Sequence, residues 1–239
     1  MRIPRVYVDD ELSAGASIAL AEAQSHYLKN VLRLKPGAAL FLFNGREDRH
    51  YPAELDLDGK RFVAKLGTGI DCQTDSQLDS EILQGLGRSD HTDWMIQKTT
   101  ELGVRQIRLF PAERSQSRFK AKQLEKKQAQ WRASEQSGRN RLPSIVFHDD
   151  LGQAMTNTQA DAKFLLDFEG QPLVSSISEK MTAIALLIGP EGGLTAPEIT
   201  AARDNGFRPT TLGPRVLRTE TAAITALAIA QATAGDLGA

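Results

Sequence analysis

Two loops rich in glycine and proline hold the residues whose types and spacing are suited to chemistry. GPEGG, at 189–193, follows an apolar run, and LGPRVLR, at 212–218, repeats the design further along. Gly189, Gly192 and Gly193 allow positive φ and a close approach of the backbone to a ligand, while Pro190 stiffens the turn. The pattern predicts a rigid cradle of backbone N–H and C=O groups. The alternative is a strand-to-helix connection in which the glycines serve geometry alone.

Two nucleotide-binding interpretations of the glycines are disfavoured. A phosphate-binding loop requires Lys followed by Ser or Thr, and no such pair follows GPEGG. GLGRSD, at 85–90, begins like a dinucleotide fingerprint, but Asp90 stands where the third glycine belongs. A dinucleotide-dependent oxidoreductase is therefore only an alternative, which NAD binding would reveal.

The second loop ends at a predicted helix start, where Arg218, Thr219 and Glu220 lie. Free N–H groups and the helix dipole favour an acceptor or an anion at such a place. The alternative is a Thr219 cap, an acidic first turn and Arg218 as a surface charge. The helix that follows, 219–234, is apolar almost all round, which is typical of a helix packed between a sheet and something else, such as another subunit.

Any nucleic-acid site must be a local patch, because the formal net charge of the 239 residues is −1. Basic residues cluster at the N-terminus, in 29–35 and in 113–141. A solvated helix face explains much of 113–132, which also holds Glu113 and Glu125. The turn GRNR places two arginines beside expected strand ends. Together the clusters predict a phosphate-binding track across two domains.

The first 70 residues differ in pattern from the rest of the chain. RVYV, AALFLFNG, YPAELDLD and RFVAKLGTG are short β-rich pieces separated by turn residues, which predicts a small barrel or curled sheet. Apolar residues at helical spacing predict one helix over 22–34 that ends at KPG. The polar stretch DCQTDSQLDS, 71–80, is predicted to link this part to a second domain.

Beyond residue 81, strand-like apolar runs alternate with helical patterns. The expected strands are SEILQGLG, VRQIRLF, SIVF, AKFLLDF, AIALLIG and TTLG, and the expected helices cover 90–102, 120–137, a short segment after SIVF, 195–205 and 219–234. The alternation predicts an α/β fold with a mostly parallel sheet and helices on both faces. Ligands of such sheets bind beyond the carboxyl ends of the strands, which is where both loops fall.

Composition excludes several other classes. The chain is 41% hydrophobic and 25% charged, as in an ordinary globular protein. Cys72 is the single cysteine and the histidines are far apart, so we expect no disulfide framework and no metal. The start MRIPRVYVDDEL has no apolar h-region, and AIALLI is too short to span a bilayer. We therefore expect a cytoplasmic protein without membrane contact.

Six motifs, in one order along the chain, carry a family resemblance. They are MRIPRVY (1–7), VLRLKPG (31–37), IQKTTELGV (96–104), SEQSGRNRLP (134–143), LLIGPEGGL (186–194) and LGPRVLRTETAAITAL (212–227). On them the chain resembles the RsmE-type ribosomal RNA uridine N3-methyltransferases of the SPOUT superfamily. The resemblance implies a PUA-like β-barrel RNA-binding domain over 1–70, a linker over 71–80 and a SPOUT methyltransferase domain over 81–239. It also implies a deep trefoil knot in the second domain, and a homodimer.

The resemblance further implies S-adenosyl-L-methionine as the cofactor, bound in the loops of the second domain. The cofactor-binding residues that it implies are Leu166, Ile188, Gly189, Pro190, Gly192, Gly193, Leu212, Gly213, Leu217 and Arg218. The RNA-binding residues are Arg2, Arg5, Lys29, Arg33, Arg88 and Arg139. The chain departs from the family ahead of IQK, where RSDHTDW places His91 and Asp93 in the positions of a Lys and a Glu.

The implied substrate is a uridine of 16S rRNA in the small ribosomal subunit, methylated at ring N3. The reaction requires removal of the imide proton and alignment of N3 with the methyl group. Arg218 is the candidate for stabilising the developing imide anion, and Glu220 or Glu191 for accepting the proton. The base must be unpaired or turned out, because a duplex covers its N3 edge.

A non-catalytic RNA-binding ribosome assembly factor is the alternative of a different class. The same basic clusters would serve it, but it predicts no cofactor pocket. Titration of the protein with S-adenosylmethionine separates the two hypotheses.

Overall fold

The structure, a computed structural model, describes residues 3–59, 61–72, 75–115 and 141–238. The described residues form two compact units. The first contains the chain up to Asp75 together with Arg141 and Leu142, and the second contains 76–115 and 143–238. The helix predicted over 120–137 lies outside the described residues, as do Arg2 and Arg139.

The first unit is built on a six-stranded sheet. Its strands are β1 (Arg5–Tyr7), β2 (Ser17–Ala19), β3 (Ala39–Phe43), β4 (Arg49–Asp58), β5 (Arg61–Leu66) and β6 (Ile70–Asp71). They pair in the order β1-β3-β4-β5-β2, β6 pairs with β4, and β1–β3 is the parallel pair. Alternate residues of β4 and β5, such as Leu55 and Phe62, are buried in one apolar core, as expected for strands with one covered face. The β-rich prediction for the first 70 residues is confirmed.

The helix predicted over 22–34 is shorter and less regular than expected. Helix α1 covers Glu22–His26, and Tyr27–Val31 form a π-helical turn that buries Leu28. The amide of Leu32 bonds to the carbonyl of Tyr27, five residues back, at 3.1 Å. Arg33 then leaves the helix with φ of 54°, a left-handed conformation that is uncommon outside glycine. The prediction was wrong over its last turns, because a wide π turn has nearly the same apolar spacing as an α turn.

The second unit is a parallel sheet with helices packed on it, and this prediction is confirmed. Its strands pair in the order β12-β10-β11-β7-β8-β9, and every pair is parallel. In chain order the elements are β7 (Asp79–Gly85), α2 (Ser89–Glu101), β8 (Gln106–Phe110), β9 (Ser144–Phe147), α3 (Leu151–Thr156), β10 (Ala162–Pro172), α4 (Leu173–Ser176), β11 (Ala183–Ile188), α5 (Ala196–Asp204), β12 (Arg208–Thr211) and α6 (Thr219–Ala234). The trefoil knot stays a prediction.

Apolar side chains cover both faces of this sheet. On one face, Ile82 and Leu186 belong to a core that includes Leu227 of α6. On the other, Leu83 and Leu187 belong to a core that includes neighbouring residues of α3 and α5. Successive residues of β7 and β11 thus point into different cores, which is why these strands are continuous apolar runs in the sequence.

Strand β10 is longer than predicted and irregular. Its pairing with β12 shifts register between Leu166 and Gln171. A Cβ on Gly170 would lie 2.5 Å from the carbonyl carbon and oxygen of Pro209, so only glycine allows the two backbones this close. The shift leaves Asp167 and Phe168 out of the ladder, at the edge of the sheet where the loops lie.

Two general features concern the described part of the chain. No helix in it is both long and apolar enough to cross a membrane. Nor do its His, Cys, Asp and Glu side chains form a group of three or more arranged to hold a metal ion.

Candidate functional site

Three segments of the second unit meet at the carboxyl edge of its sheet. They are the irregular part of β10 and the loops that follow β11 and β12, and these strands are neighbours in the order β12-β10-β11. Between them lies a cavity of about 700 Å³, lined by residues of 165–168, 188–194 and 210–219, with His91 and Arg114 at its wall. This volume is in the range of small-molecule sites. The loops GPEGG and LGPRVLR therefore wall one cavity.

The residues predicted to bind the cofactor all line this cavity. They are Leu166, Ile188, Gly189, Pro190, Gly192, Gly193, Leu212, Gly213, Leu217 and Arg218. Gly193 has φ of 69° and Gly213 has φ of 111°, so both use conformations that favour glycine. The fold brings these residues together, and their role toward a cofactor stays a prediction.

A buried hydrogen-bond network fixes the first loop to the start of α6. The Thr219 hydroxyl donates to the carbonyl of Gly189 at 2.7 Å and accepts from the Gln84 amide at 2.8 Å. Gln84, at the end of β7, also donates to the Gly189 carbonyl at 3.2 Å and is only 3% exposed. Two loops and a central strand are thus joined through side chains, which rigidifies the cavity wall.

The glycines of GLGRSD allow the chain to pack closely against the loop GPEGG. A Cβ on Gly85 would lie 2.6 Å from Pro190 Cδ and 2.7 Å from Pro190 N. A Cβ on Gly87 would collide with the Glu191 carboxylate. Both positions need glycine for close approach, which accounts for the partial resemblance to a dinucleotide fingerprint.

Glu191 and His91 connect the first loop to the start of α2. Glu191 Oε1 accepts from the backbone N–H of Arg88 at 2.9 Å and lies 3.2 Å from His91 Nδ1. Burial raises the pKa of the Glu191 carboxyl, but the Arg88 amide, its own amide and His91 outweigh it, so the pKa lies below its ordinary value. His91 Nδ1 is also 3.6 Å from Glu220 Oε2, and the imidazole therefore lies against two carboxylates.

Comparison with known proteins decides the family. Residues 74–231 match the profile of an RNA methyltransferase domain, and residues 20–66 match that of an RNA methyltransferase PUA domain. The chain belongs to the RNA methyltransferase family. One relative, the ribosomal RNA small subunit methyltransferase E of Buchnera aphidicola subsp. Schizaphis graminum, is 30% identical over 242 residues, which are 99% of this chain and 98% of the relative. The resemblance drawn from the six motifs is confirmed.

Two solved structures resemble this methyltransferase over almost its whole length. A putative methyltransferase from Legionella pneumophila in complex with S-adenosylmethionine has a TM-score of 0.91 at 32% identity, covering 99% of this chain and all of that one. A ribosomal RNA small subunit methyltransferase E from Neisseria gonorrhoeae, bound to S-adenosyl methionine, has a TM-score of 0.86 at 31% identity, covering 98% and 99%. The predicted combination of a PUA-like domain and a methyltransferase domain is thereby confirmed.

The three residues predicted to be catalytic in this methyltransferase lie in different environments. Arg218 precedes α6, is exposed and lines the cavity. Glu191 lines the cavity but is bonded to the start of α2. Glu220 is only 8% exposed and does not line the cavity, and its Oε2 has no hydrogen bond among the described residues. Their catalytic roles stay predictions.

Sequence reasoning did not assign His91, Arg114 or Asp167 to the methyltransferase cavity, which all three line. Arg114, which follows strand β8, donates to the carbonyl of Gly192 at 3.2 Å and so supports the first loop. His91 was noticed only as a departure from the family pattern at the edge expected to contact RNA. The parallel-sheet rule could have indicated Asp167, because it comes directly after the apolar residues 164–166 of β10.

The residues predicted to bind RNA are distributed over both units of the methyltransferase. Lys29 and Arg33 are exposed on and just after the π-helical turn. Arg5 is half-buried, lies 4.9 Å above the Phe43 ring and bonds to His50 at 3.0 Å. Arg88, in the second unit, is exposed and lies 3.3 Å from Asp90. Arg2 and Arg139 are outside the described residues, and the RNA-binding role of the whole set stays a prediction.

Replacing Glu191 by glutamine is expected to cost stability in a pH-dependent way. The folded pKa of Glu191 lies below its ordinary value of 4.5, so its charge stabilises the fold above that pH and ceases to do so as pH falls through the lowered pKa. Glutamine keeps an oxygen for the Arg88 N–H and removes only the charge. In urea unfolding, the free energy of unfolding of the wild type should exceed that of the variant, and this difference should shrink as the pH falls from about 5 to about 3. A difference that is constant over this interval would contradict the assignment.

Proposed function

We propose that this methyltransferase transfers the methyl group of S-adenosylmethionine to ring N3 of a uridine in the 16S rRNA of the small ribosomal subunit. The observation that carries the proposal is the cavity of about 700 Å³ between β10 and the loops after β11 and β12, with Arg218 at its wall. Near-complete coverage of relatives named for the small-subunit rRNA, and of structures with S-adenosylmethionine bound, supports the substrate and the cofactor. An rRNA substrate would place the reaction in the cytoplasm.

The cavity lining fits S-adenosylmethionine in shape and in chemistry. Apolar side chains from all three segments of the lining, Leu166, Ile188 and Leu217 among them, offer a surface for a flat base. Glycine backbone in the first loop leaves N–H and C=O groups open to polar atoms of a ligand. The lining holds the carboxylates Asp167 and Glu191 together with the cations Arg114, Arg215 and Arg218, so ligand groups of either charge find a partner there. Bound there, S-adenosylmethionine supplies a methyl group on a positively charged sulfur.

The residues of the chain then have to position the base and stabilise its charge. Arg218 lines the cavity at the start of α6, which supports the proposal that its guanidinium stabilises the anion developing on the uracil imide. The network of Gln84 and Thr219 holds the two loops rigid, which keeps that geometry from relaxing. A proton acceptor is also required, and Glu220 and Glu191 were its candidates from the sequence.

The first unit would hold the RNA backbone through its exposed cations. The double variant Lys29→Gln/Arg33→Gln is expected to lower the slope of log affinity against log salt by about 0.7 per residue, because each lost phosphate contact releases one counterion fewer. Filter binding to an rRNA fragment at several salt concentrations measures the slope. Lys180→Gln, which neutralises an exposed lysine of the second unit, is the matched control. Equal slopes for the double variant and the wild type would reject this surface.

We also infer a homodimer, which the family resemblance implies and which the exposed apolar side chains of the second unit support. Val216 is 81% exposed, Phe168 71% and Trp94 52%, and the first two line the cavity. A second copy of the chain would cover exposed apolar groups with a symmetric interface. Light scattering on the eluting peak should give twice the chain mass of 26.1 kDa. A single chain mass at all concentrations would refute the inference.

Two measurements together test the proposed function. Calorimetric titration with S-adenosylmethionine should give one site per chain, while a non-catalytic assembly factor would give none. Mass spectrometry of rRNA nucleosides, from cells with and without the gene, should then find N3-methyluridine only when the gene is present. Binding of NAD in place of S-adenosylmethionine, or a methyl group on another atom, would overturn the proposal.

A further inference from the structure

We propose that His91 is the proton acceptor of the reaction, with Glu191 and Glu220 holding its ring from behind. This assignment rests on the proposed function, since it needs a substrate that loses a proton as it is methylated. It differs from the sequence prediction, which gave the role to one of the carboxylates. The imidazole lines the cavity, and its side chain is 22% exposed.

The hydrogen bonding of the ring determines which nitrogen is free. His91 Nδ1 lies 3.2 Å from Glu191 Oε1 and 3.6 Å from Glu220 Oε2. Carboxylates accept and do not donate when ionised, so they hold a proton on Nδ1. The neutral ring then carries its lone pair on Nε2, which has no hydrogen bond among the described residues. A histidine with one ring nitrogen held by carboxylates and the other free of protein hydrogen bonds has the arrangement of a general base.

The two carboxylates are less suited to accept the proton directly. Glu191 already accepts the Arg88 N–H and faces the imidazole, and its pKa is lowered, which makes it a weaker base. Glu220 is buried, does not line the cavity and directs its Oε2 toward His91. The position of Glu220 is otherwise costly, because a buried carboxylate oxygen without a hydrogen bond requires a compensating partner. A proton arriving on His91 provides that partner.

The proposed step balances in atoms and charge. The N3–H bond of uracil breaks and its proton moves to His91 Nε2. The electron pair left on N3 forms the bond to the methyl carbon, and the carbon–sulfur bond breaks with its pair remaining on sulfur. The imidazolium later returns the proton to water, which restores the neutral ring.

The charges facing the ring come from several elements. Glu191 faces it from the loop after β11, Glu220 from α6, and Asp90 and Arg88 from the start of α2. Arg218, ahead of α6, is a further cation of the cavity wall. The two groups nearest to Nδ1 are both carboxylates, at 3.2 Å and 3.6 Å.

The tautomer provides a test that is independent of activity. Long-range ¹H–¹⁵N spectra of the intact protein should identify His91 as the Nδ1–H form in its neutral state, and Glu191→Gln should weaken that preference. His26, an exposed histidine of α1, is the internal reference for an imidazole without this support. A neutral ring protonated on Nε2 would overturn the proposal.

Kinetics of His91→Gln and His91→Ala test the chemical role. Each substitution should lower kcat at least about 100-fold, with affinity for S-adenosylmethionine within about twofold of the wild type. Added imidazole should restore part of the lost rate in His91→Ala, and the glutamine variant should gain rate steadily with pH while the wild type levels off. His26→Gln is the matched control. Asp167→Asn tests the other carboxylate that lines the cavity, and a larger loss there than in His91→Gln would contradict the assignment.

The outcome separates this inference from the proposed function. If the wild type forms N3-methyluridine and the His91 variants keep its kcat and pH profile, the inference is wrong and the proposed function stands. If the wild type methylates another atom or binds no S-adenosylmethionine, the proposed function itself is wrong. The loss of kcat without imidazole rescue and without a changed pH profile would assign His91 a purely structural role and reject it as the acceptor.

Discussion

Replacing Arg108 by methionine is expected to lower the free energy of unfolding by about 3–5 kcal/mol, because it leaves the Glu81 carboxylate buried without its partner. Arg108 Nε donates to Glu81 Oε2 at 3.0 Å, and the two side chains are 7% and 9% exposed. The guanidinium also donates to the Asn157 carbonyl and to Gln106, both at 2.7 Å. Urea unfolding followed by circular dichroism measures the loss.

The double variant Arg108→Met/Glu81→Met is the control for this prediction. Removing both charges leaves no uncompensated ion, so most of the loss should be recovered. Arg105→Met, which removes an arginine 3.8 Å from Asp79 where both side chains are half-exposed, should change the free energy of unfolding by less than about 1 kcal/mol. A single Arg108 variant that is as stable as Arg105→Met would mean that water already compensates Glu81.

Local pattern was sufficient for the regular elements of the second unit. Strand β9 and helix α6 have the bounds that the sequence predicted, Ser144–Phe147 and Thr219–Ala234. Each combines a clear period with a turn signal at its ends. The π-helical turn at Tyr27–Val31 was not predictable in this way, since what distinguishes it from an α turn is a bond five residues back and not a spacing of side chains. The contact of Arg141 with Asp48, at 2.7 Å, likewise joins segments that no local pattern relates.

The loop residues of the site could be predicted from the topology of a parallel sheet. The residues that contact these loops from other elements could not. Gly189 and Leu212 were predicted to meet because ligands of parallel sheets bind beyond the carboxyl ends of strands, and both line one cavity. His91 lies 100 positions from Glu191 along the chain. The start of α2 and the loop after β11 nevertheless bring His91 Nδ1 to 3.2 Å from the Glu191 carboxylate. A contact of this kind depends on strand order, which the sequence pattern left open. The sequence therefore identified the walls of the cavity and missed His91, whose side chain lies between the carboxylates of Glu191 and Glu220.

Replacing Arg218 by alanine is expected to reduce kcat by about 10²–10³-fold, which corresponds to about 2.7–4 kcal/mol of transition-state stabilisation. The guanidinium lines the cavity and is exposed at the start of α6, where the helix N-terminus also favours negative charge. A group that stabilises only the developing anion lowers kcat and kcat/KM together when it is removed. Single-turnover methyl transfer to an rRNA fragment, with saturating S-adenosylmethionine, measures the chemical step.

Two control variants test whether the effect is specific to Arg218. One removes an arginine elsewhere on the surface, and the other keeps the positive charge at position 218. Arg203→Ala removes an exposed arginine of α5 outside the cavity and should leave kcat unchanged. Arg218→Lys keeps a cation but loses the planar fork, so it should recover part of the rate and remain below the wild type. If Arg218→Ala instead raised KM at unchanged kcat, the guanidinium would bind the substrate equally strongly in the ground state and the transition state. It would then position the RNA without stabilising the anion.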